Sequence, residues 1–416
     1  MVLEVAQVSR ADLMGGRFNG FSIRHLLEQR GVHSSHLVFD PKSDDPATHR
    51  IFDYPGSRTF VNTMSRWEYR WGLHAMFQVH SFGLPASRLF RRADVMHYHV
   101  VHDGFFSIAA LPVLARLKPS IWTWHDPWIM TGHCIYPLEC DRWRIGCGEC
   151  PDLTRTFEMK FDNTRRAFAL KRTIVRHSPI DIIVASRWML DMARASPMAV
   201  GARLHYIPFG VDLSRFKPRD QAAAKARFGV LPDRVVIAVR GFLGPYKGVT
   251  EFAAALERIQ TPLCVLSLND LGGFDRLIGR HQVIGLDWTD DEDALIDAYA
   301  ATDFFVMPSM GEAFGMMAVE AMACGKPVVV FEGTALPDVT FAPEAGIAVP
   351  MRDVQGLADA VQHLVDDAPD RLRRGKRARE LAEQHYSAEL YADRLTALYQ
   401  AVAKGQSNRE AVAVPA

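Results

Sequence analysis

No run in this 416-residue chain approaches the roughly 18 apolar residues that a membrane-spanning helix needs. Its first stretch, MVLEVAQVSRADLMGG, has no basic segment, and Glu4 and Gln7 interrupt its apolar residues, which argues against a secretory signal. The expected location is the cytoplasm. Net charge is missing as well, since 48 Lys and Arg balance 48 Asp and Glu. A balanced chain is not drawn as a whole to nucleic acid or to an anionic membrane, although local patches stay open, and no nucleic-acid partner is expected. Low-complexity segments and short repeats are absent. Cysteine is scarce, with six in all, four of them between Cys134 and Cys150. In a reducing compartment such clustering argues for metal more than for disulfides.

What is present belongs to a packed chain, 48% hydrophobic and 23% charged. The length exceeds one core and suits two domains of about 200 residues each. Short β-branched runs alternate with helical patterns almost throughout. The first half carries VLEVAQVS, HLVFD, DVMHYH, IWTWH, DIIVAS and RLHYIP; the second carries RVVIAVR, PLCVLSL, HQVIGL, DFFVMPS, PVVVFE and GIAVP. Between many of them lie apolar residues at three- and four-residue spacing, as in TEFAAALERIQ. Alternating strand and helix implies parallel sheets covered on both faces. The Pro- and Gly-rich stretch at 208–220 marks the domain boundary. The expected fold is α/β, with two Rossmann-like doubly wound domains facing a cleft. The expected segments are 1–208 with a Cys-rich insertion at 126–153, 209–385, a helix at 386–403 crossing back to the first domain, and a disordered tail at 404–416. In such sheets ligands sit at the C-terminal ends of strands.

Three stretches there can carry chemistry. Gly15 and Gly16 follow the first strand and precede a helical pattern, so backbone N–H groups can approach an anion, or the glycines only make a tight turn. In VRGFLGPYKGVTEFAAAL, Arg240 ends a strand and Lys247-Gly248 opens a helix. Two cations beside a helix N-terminus suit a diphosphate, and the plainer alternative is a solvated basic loop. In MPSMGEAFGMMAVEAMACGKPVVVFEG, the spacing puts Glu312 in the loop before a helix and Glu320 within it. Gly315 permits close backbone approach at the helix start. A loop carboxylate there can accept hydrogen bonds from sugar hydroxyls, and a helix carboxylate can hold a ribose diol.

PYKG, PFGVD and the segment running from DFFVMPS through GEAFGMMAVEAMACGKPVV together resemble the retaining nucleotide-sugar glycosyltransferases of family four, which have the two-Rossmann GT-B fold. The Cys-rich segment resembles a subset that builds bacterial exopolysaccharide, capsule or O-antigen units. The resemblance implies a nucleotide-sugar donor and a glycan or lipid-linked saccharide acceptor, with no cofactor for catalysis. It implies that Arg240 and Lys247 bind the donor diphosphate, with Gly16 near the phosphates, and that Glu320 binds the ribose. It implies that Glu312, with the backbone at Phe314 and Gly315, contacts the donor sugar or its phosphate, and that His125 sits in the cleft against the reacting centre. Lys247 lies seven positions after Arg240, a longer interval than in many relatives, and Asp338 receives no role. Departure of the nucleotide would then leave charge on the β-phosphate for fixed cations and helix amides to stabilise. Retention follows from front-face attack. The alternatives are a sugar-nucleotide epimerase or hydrolase of the same fold, and a non-catalytic sugar-nucleotide-binding subunit.

The four cysteines are spaced Cys134-x5-Cys140-x6-Cys147-x2-Cys150, and the final pair suits half of a zinc knuckle. A structural Zn2+ on four thiolates is the first reading, with disulfides, free packed thiols and an iron–sulfur cluster as alternatives. Ser57–Arg92 interleaves arginines with aromatics and holds a single acid, Glu68. That suits peripheral attachment to the cytoplasmic membrane face, or simply an amphipathic helix with an acceptor loop.

Overall fold

The computed structural model describes residues 2–13, 16–242, 244, 246–269, 271, 273–287 and 292–406, so Gly15 and the far tail lie outside the described residues. The chain divides into two compact units. One is Met1–Gly210 together with Glu389–Ala416; the other is Val211–Ala388. The boundary after Gly210 lies two residues beyond the expected 208.

The first unit is built on seven strands: β1 (Leu3–Ser9), β2 (Val32–Val38), β3 (Thr48–Arg50), β4 (Val95–His99), β5 (Ser120–Thr123), β6 (Asp181–Val184) and β7 (Arg203–Tyr206). They lie in the order β3-β2-β1-β4-β5-β6-β7, every neighbouring pair parallel. The second unit has six: β8 (Val236–Arg240), β9 (Cys264–Asn269), β10 (Gln282–Asp287), β11 (Phe304–Met307), β12 (Val328–Phe331) and β13 (Ile347–Val349). Their order is β10-β9-β8-β11-β12-β13, again all parallel. Both are doubly wound α/β sheets. In each the strand order reverses beside the unit's first strand, between β1 and β4 and between β8 and β11, the point at which such sheets bind ligands.

The second sheet is apolar in the way that two covered faces require. Val236, Ile237, Ala238 and Val239 of β8 are all fully buried. The first sheet departs from that rule. Gln7, Ser34, His36, His97, His99 and Thr123 lie in its central strands with at most 1% exposure. The helix Ala388–Ala403 packs onto this polar stripe through Tyr399. That helix starts at Ala388 rather than at 386. The Val211 N–H donates to the Tyr386 carbonyl at 2.7 Å, and the Ala388 N–H to the Val211 carbonyl at 3.0 Å, so a short bridge interrupts the helical ladder at this point.

The basic segment forms the helix Ser57–Trp71, closed by left-handed Gly72 (φ 59°), and then the short helical turns Val79–Ala86 and Arg88–Arg92. Its one acid is the anchor. Glu68 is 2% exposed and accepts the N–H groups of Met76 (2.9 Å) and Phe77 (2.7 Å). Burial raises its carboxyl from the ordinary 4.5 to about 7, against the pull of those donors. A proton held more tightly in the fold adds stability below pH 4.5 that is lost as pH rises through 7. Glu68→Gln keeps an oxygen acceptor and removes the charge. In thermal melts, the stability of the wild type relative to Glu68→Gln is expected to fall between pH 5 and 8, on the order of 3 kcal/mol. A gap that does not change with pH contradicts this reading of Glu68.

Candidate functional site

At the reversal point of the second unit, the loops after β8 and β11 are stitched together. The Tyr246 carbonyl accepts the N–H of Met310 at 2.8 Å and of Gly311 at 3.3 Å. The stitch needs glycine. Gly248 sits at φ +64°, and a Cβ there would lie 1.8 Å from the Pro308 carbonyl oxygen. The helix Val249–Leu256 starts directly after it. Gly315 repeats the device at φ +95°, with a Cβ position 2.5 Å from Leu336, and opens the helix Met316–Ala323. Two helix N-termini thus begin beside the same strand ends, each with amide groups that no helical carbonyl satisfies.

Charge is fixed between them. Lys247 Nζ lies 3.1 Å from Glu312 Oε2, and both side chains are largely covered. Phe314 is buried with its ring edge-on to Tyr386. Arg240, at the end of β8, does not join the Lys247–Glu312 pair. Its guanidinium lies over Phe242 at 5.6 Å, and its buried Nε has no partner among the described residues. An ammonium, a carboxylate and exposed helix amides can together hold a phosphorylated polyhydroxyl ligand. Glu320 differs from the expectation of a ribose-facing carboxylate. It lies inside the helix Met316–Ala323, fully buried, and its Oε2 accepts the Tyr299 hydroxyl at 3.0 Å.

In the first unit, His125 follows β5 by two residues, beside the end of β4. It is half-buried, stacked on Phe209 (5.5 Å between centroids, 14° between planes) and close to Phe18 at 4.9 Å. Its Nε2 lies 3.0 Å from Nδ1 of His99. Burial pushes the His125 imidazole down to about 3, despite the neighbouring Asp126 charge, so the ring is neutral in ordinary buffers. Asp126 turns away to cap the next turn. It accepts the Trp128 N–H at 2.9 Å and pairs with His102 at 3.2 Å. Together with Trp124 these residues line a small pocket beside His125. Gly16 makes a turn bond to Leu13 at 2.9 Å.

The turn after His125 is held from below by Lys171. This fully buried ammonium donates to the carbonyls of Trp128 (2.8 Å) and Thr131 (3.3 Å) and lies 3.4 Å from the Trp128 ring centroid. Burial lowers its pKa to about 7. The four cysteines that follow are free. Cys147 Sγ accepts the Gly132 N–H at 3.2 Å, the Cys150 thiol donates to the Asp152 carbonyl at 3.3 Å, and Cys150 also meets His133 at 3.4 Å. Among the described residues, no three His, Cys, Asp or Glu side chains stand together so as to hold a metal ion. Cys147 and Cys150 are thus hydrogen-bonded to loop groups. Burial raises the Cys147 thiol to about 12, which keeps it protonated.

Sequence reading missed Gln7, His99, Lys171 and Tyr399. The alternation in DVMHYH was a usable signal, since two histidines at period two on a central strand mark one polar face. Lys171 gave none; it is one of several cations in TRRAFALKRTIVRH.

A model of the glycosyl transferases group 1 family matches residues 233–367. A D-inositol 3-phosphate glycosyltransferase from Saccharomonospora viridis is 33% identical over 322 residues, covering 73% of this chain and 70% of that protein. Among solved structures, sucrose-phosphate synthase from Thermosynechococcus elongatus aligns over 97% of this chain and all of its own, with a TM-score of 0.67 at 19% identity. Anabaena HepE in complex with UDP-glucose aligns over 96% of this chain and all of its own, with a TM-score of 0.64 at 15% identity. At these identities the two structures speak for the GT-B fold alone.

The glycine stitch is open to a direct check. Gly248→Ala must fit a methyl group against backbone, whereas Gly279→Ala, also at positive φ, meets nothing within 4 Å. Gly248→Ala is expected to destabilise the protein by clearly more than about 1 kcal/mol in denaturant melts, and by more than Gly279→Ala. Equal losses would show that the close approach at Pro308 is not rigid.

Proposed function

Since the chain belongs to the group 1 glycosyl transferases, we propose that it moves a sugar from a nucleotide-sugar donor to a hydroxyl of a glycan or lipid-linked saccharide, with retention at the anomeric carbon. The observation that carries this reading is the Lys247–Glu312 pair at the β8–β11 reversal, between two helix N-termini that only glycine can open there. Lys247 takes a donor phosphate, and Glu312 accepts a sugar hydroxyl. As the anomeric C–O bond breaks, its electron pair goes to the β-phosphate, where the ammonium and the amides of the helix starts stabilise it. The acceptor oxygen bonds the anomeric carbon on the same face, and its proton passes to the departing phosphate.

The relatives' name adds a phosphorylated polyol to the acceptors worth testing. Trp67 and Trp71 are 47% and 46% exposed, one turn apart on the helix Ser57–Trp71, beside exposed Arg66 and Arg70. That pattern supports an acceptor presented at an anionic membrane surface. No helix among the described residues is long and apolar enough to cross a membrane.

Nucleotide release from a panel of nucleotide sugars, measured with and without lipid-diphosphate saccharides and inositol phosphates, tests the reading. Release that depends on an acceptor is expected, and equal release without one points to a hydrolase. Lys247→Ala is expected to lower kcat/KM by roughly 10²–10³-fold with an unchanged melting temperature; an unaffected kcat/KM removes Lys247 from the donor site. Flotation with anionic vesicles is expected to weaken with salt and in Trp67→Ser/Trp71→Ser, and unaltered flotation in that variant excludes the helix as the attachment face.

A further inference from the structure

The polar stripe of the first unit has a direction. Gln7 Nε2 lies 3.2 Å from Ser34 Oγ and 3.0 Å from the Tyr399 hydroxyl, and its Oε1 lies 2.8 Å from His99 Nε2. The Tyr399 hydroxyl is 2.8 Å from His97 Nδ1, and His97 Nε2 is 2.7 Å from Thr123 Oγ1. With the amide placed this way, both Gln7 N–H groups have acceptors. Tyr399 donates to His97, and His97 donates to Thr123. Turning the amide over would aim its NH2 at His99 alone and leave one N–H without an acceptor at a residue that is fully buried. That costs about 1–3 kcal/mol.

The rest follows by proton counting. Gln7 Oε1 can only accept, so His99 carries its proton on Nε2. Its Nδ1 is then a bare lone pair, 3.0 Å from His125 Nε2, which must be the donor. A neutral imidazole has one N–H, so Nδ1 of His125 is also bare. That atom has no protein partner among the described residues. Burial holds His97 and His99 well below their ordinary value, so no member of the chain carries a second ring proton.

We propose that Gln7 and His99 are positioning residues that lock His125 in its Nε2–H tautomer, so that Nδ1 accepts a hydrogen bond from a substrate hydroxyl. The inference rests on the glycosyltransferase reading only for the nature of that hydroxyl, a sugar O–H. An acceptor nitrogen selects ligands that donate: it favours a hydroxyl over a phosphate oxygen, and over a deoxy position that offers nothing. The register explains why the residues are where they are. Gln7 pairs with His97 across β1 and β4, which makes His99 its diagonal neighbour on the same face.

The test is 15N NMR on full-length protein labelled at histidine, without ligand. His125 is identified among the 16 histidines by the signal lost in His125→Gln. In the wild type its Nε2 is expected to show the shift of a protonated nitrogen and its Nδ1 that of a bare one, from pH 5 to 8. Gln7→Glu keeps an acceptor toward His99 and should leave this pattern in place. Gln7→Leu frees His99 to take either tautomer and should mix the two His125 forms. Turnover should follow the tautomer, falling in Gln7→Leu and surviving in Gln7→Glu. A wild-type His125 protonated on Nδ1 overturns the proposal whether or not the variants fold, as does an unchanged tautomer in a folded Gln7→Leu. Because the spectrum needs no substrate, an inactive protein with the expected tautomer counts against the transferase reading and leaves the relay standing.

Discussion

A polar chain inside a covered sheet is costly unless its members are satisfied, and the chain from Thr123 to His125 meets that condition, whereas buried His36 on β2 finds no partner for either ring nitrogen among the described residues. Parallel strands buried on both faces are expected to be apolar. Here β1, β4 and β5 instead carry Gln7, His97, His99 and Thr123 at no more than 1% exposure. Each finds a partner within 2.7–3.0 Å in the chain that also includes Tyr399. An incomplete chain would cost more than an apolar core, so Tyr399 of the last helix is required as well as accommodated. The same chain ends on His125. One arrangement thus secures the return of the C-terminal helix and sets which ring nitrogen of His125 bears the proton.

The second unit solves a different problem by different means. Its sheet is apolar, and its polar work is confined to the strand ends at the reversal of strand order. Gly248 lets one helix begin closer to neighbouring backbone than any side chain would allow, and Gly315 supplies the positive φ at the start of the other. Lys247 and Glu312 place opposite charges at that edge. Fixed dipoles and charges of this kind act on a ligand without reorganising, which is the general reason such sites stabilise developing charge well.

Much of this was legible in the sequence. Twelve of the thirteen strands among the described residues overlap strand runs visible in the sequence, clearest in the second unit, whose buried parallel strands are written as β-branched segments. The exception, Thr48–Arg50, is a three-residue edge strand with no apolar pattern. The loop positions of Lys247 and Glu312 and the helix-start glycine at 315 were legible because strand–turn–helix junctions show in the pattern, while their roles came from the resemblance. Glu320 was placed correctly on its helix, but spacing cannot tell which way a helix face turns, and it faces Tyr299. The relay was beyond one-dimensional reading for another reason: Gln7 and Tyr399 meet across 392 positions.

In the proposed transfer, the reaction is driven from the phosphate end of the donor, at Lys247 and the helix starts beside it, and no side-chain base attacks from the opposite face. Stereochemistry reports on this most directly. With a donor and acceptor that react, the 1H NMR coupling of the new anomeric proton gives the configuration of the first-formed product. Under the proposed mechanism the donor's anomeric configuration is kept; a product formed with inversion contradicts it.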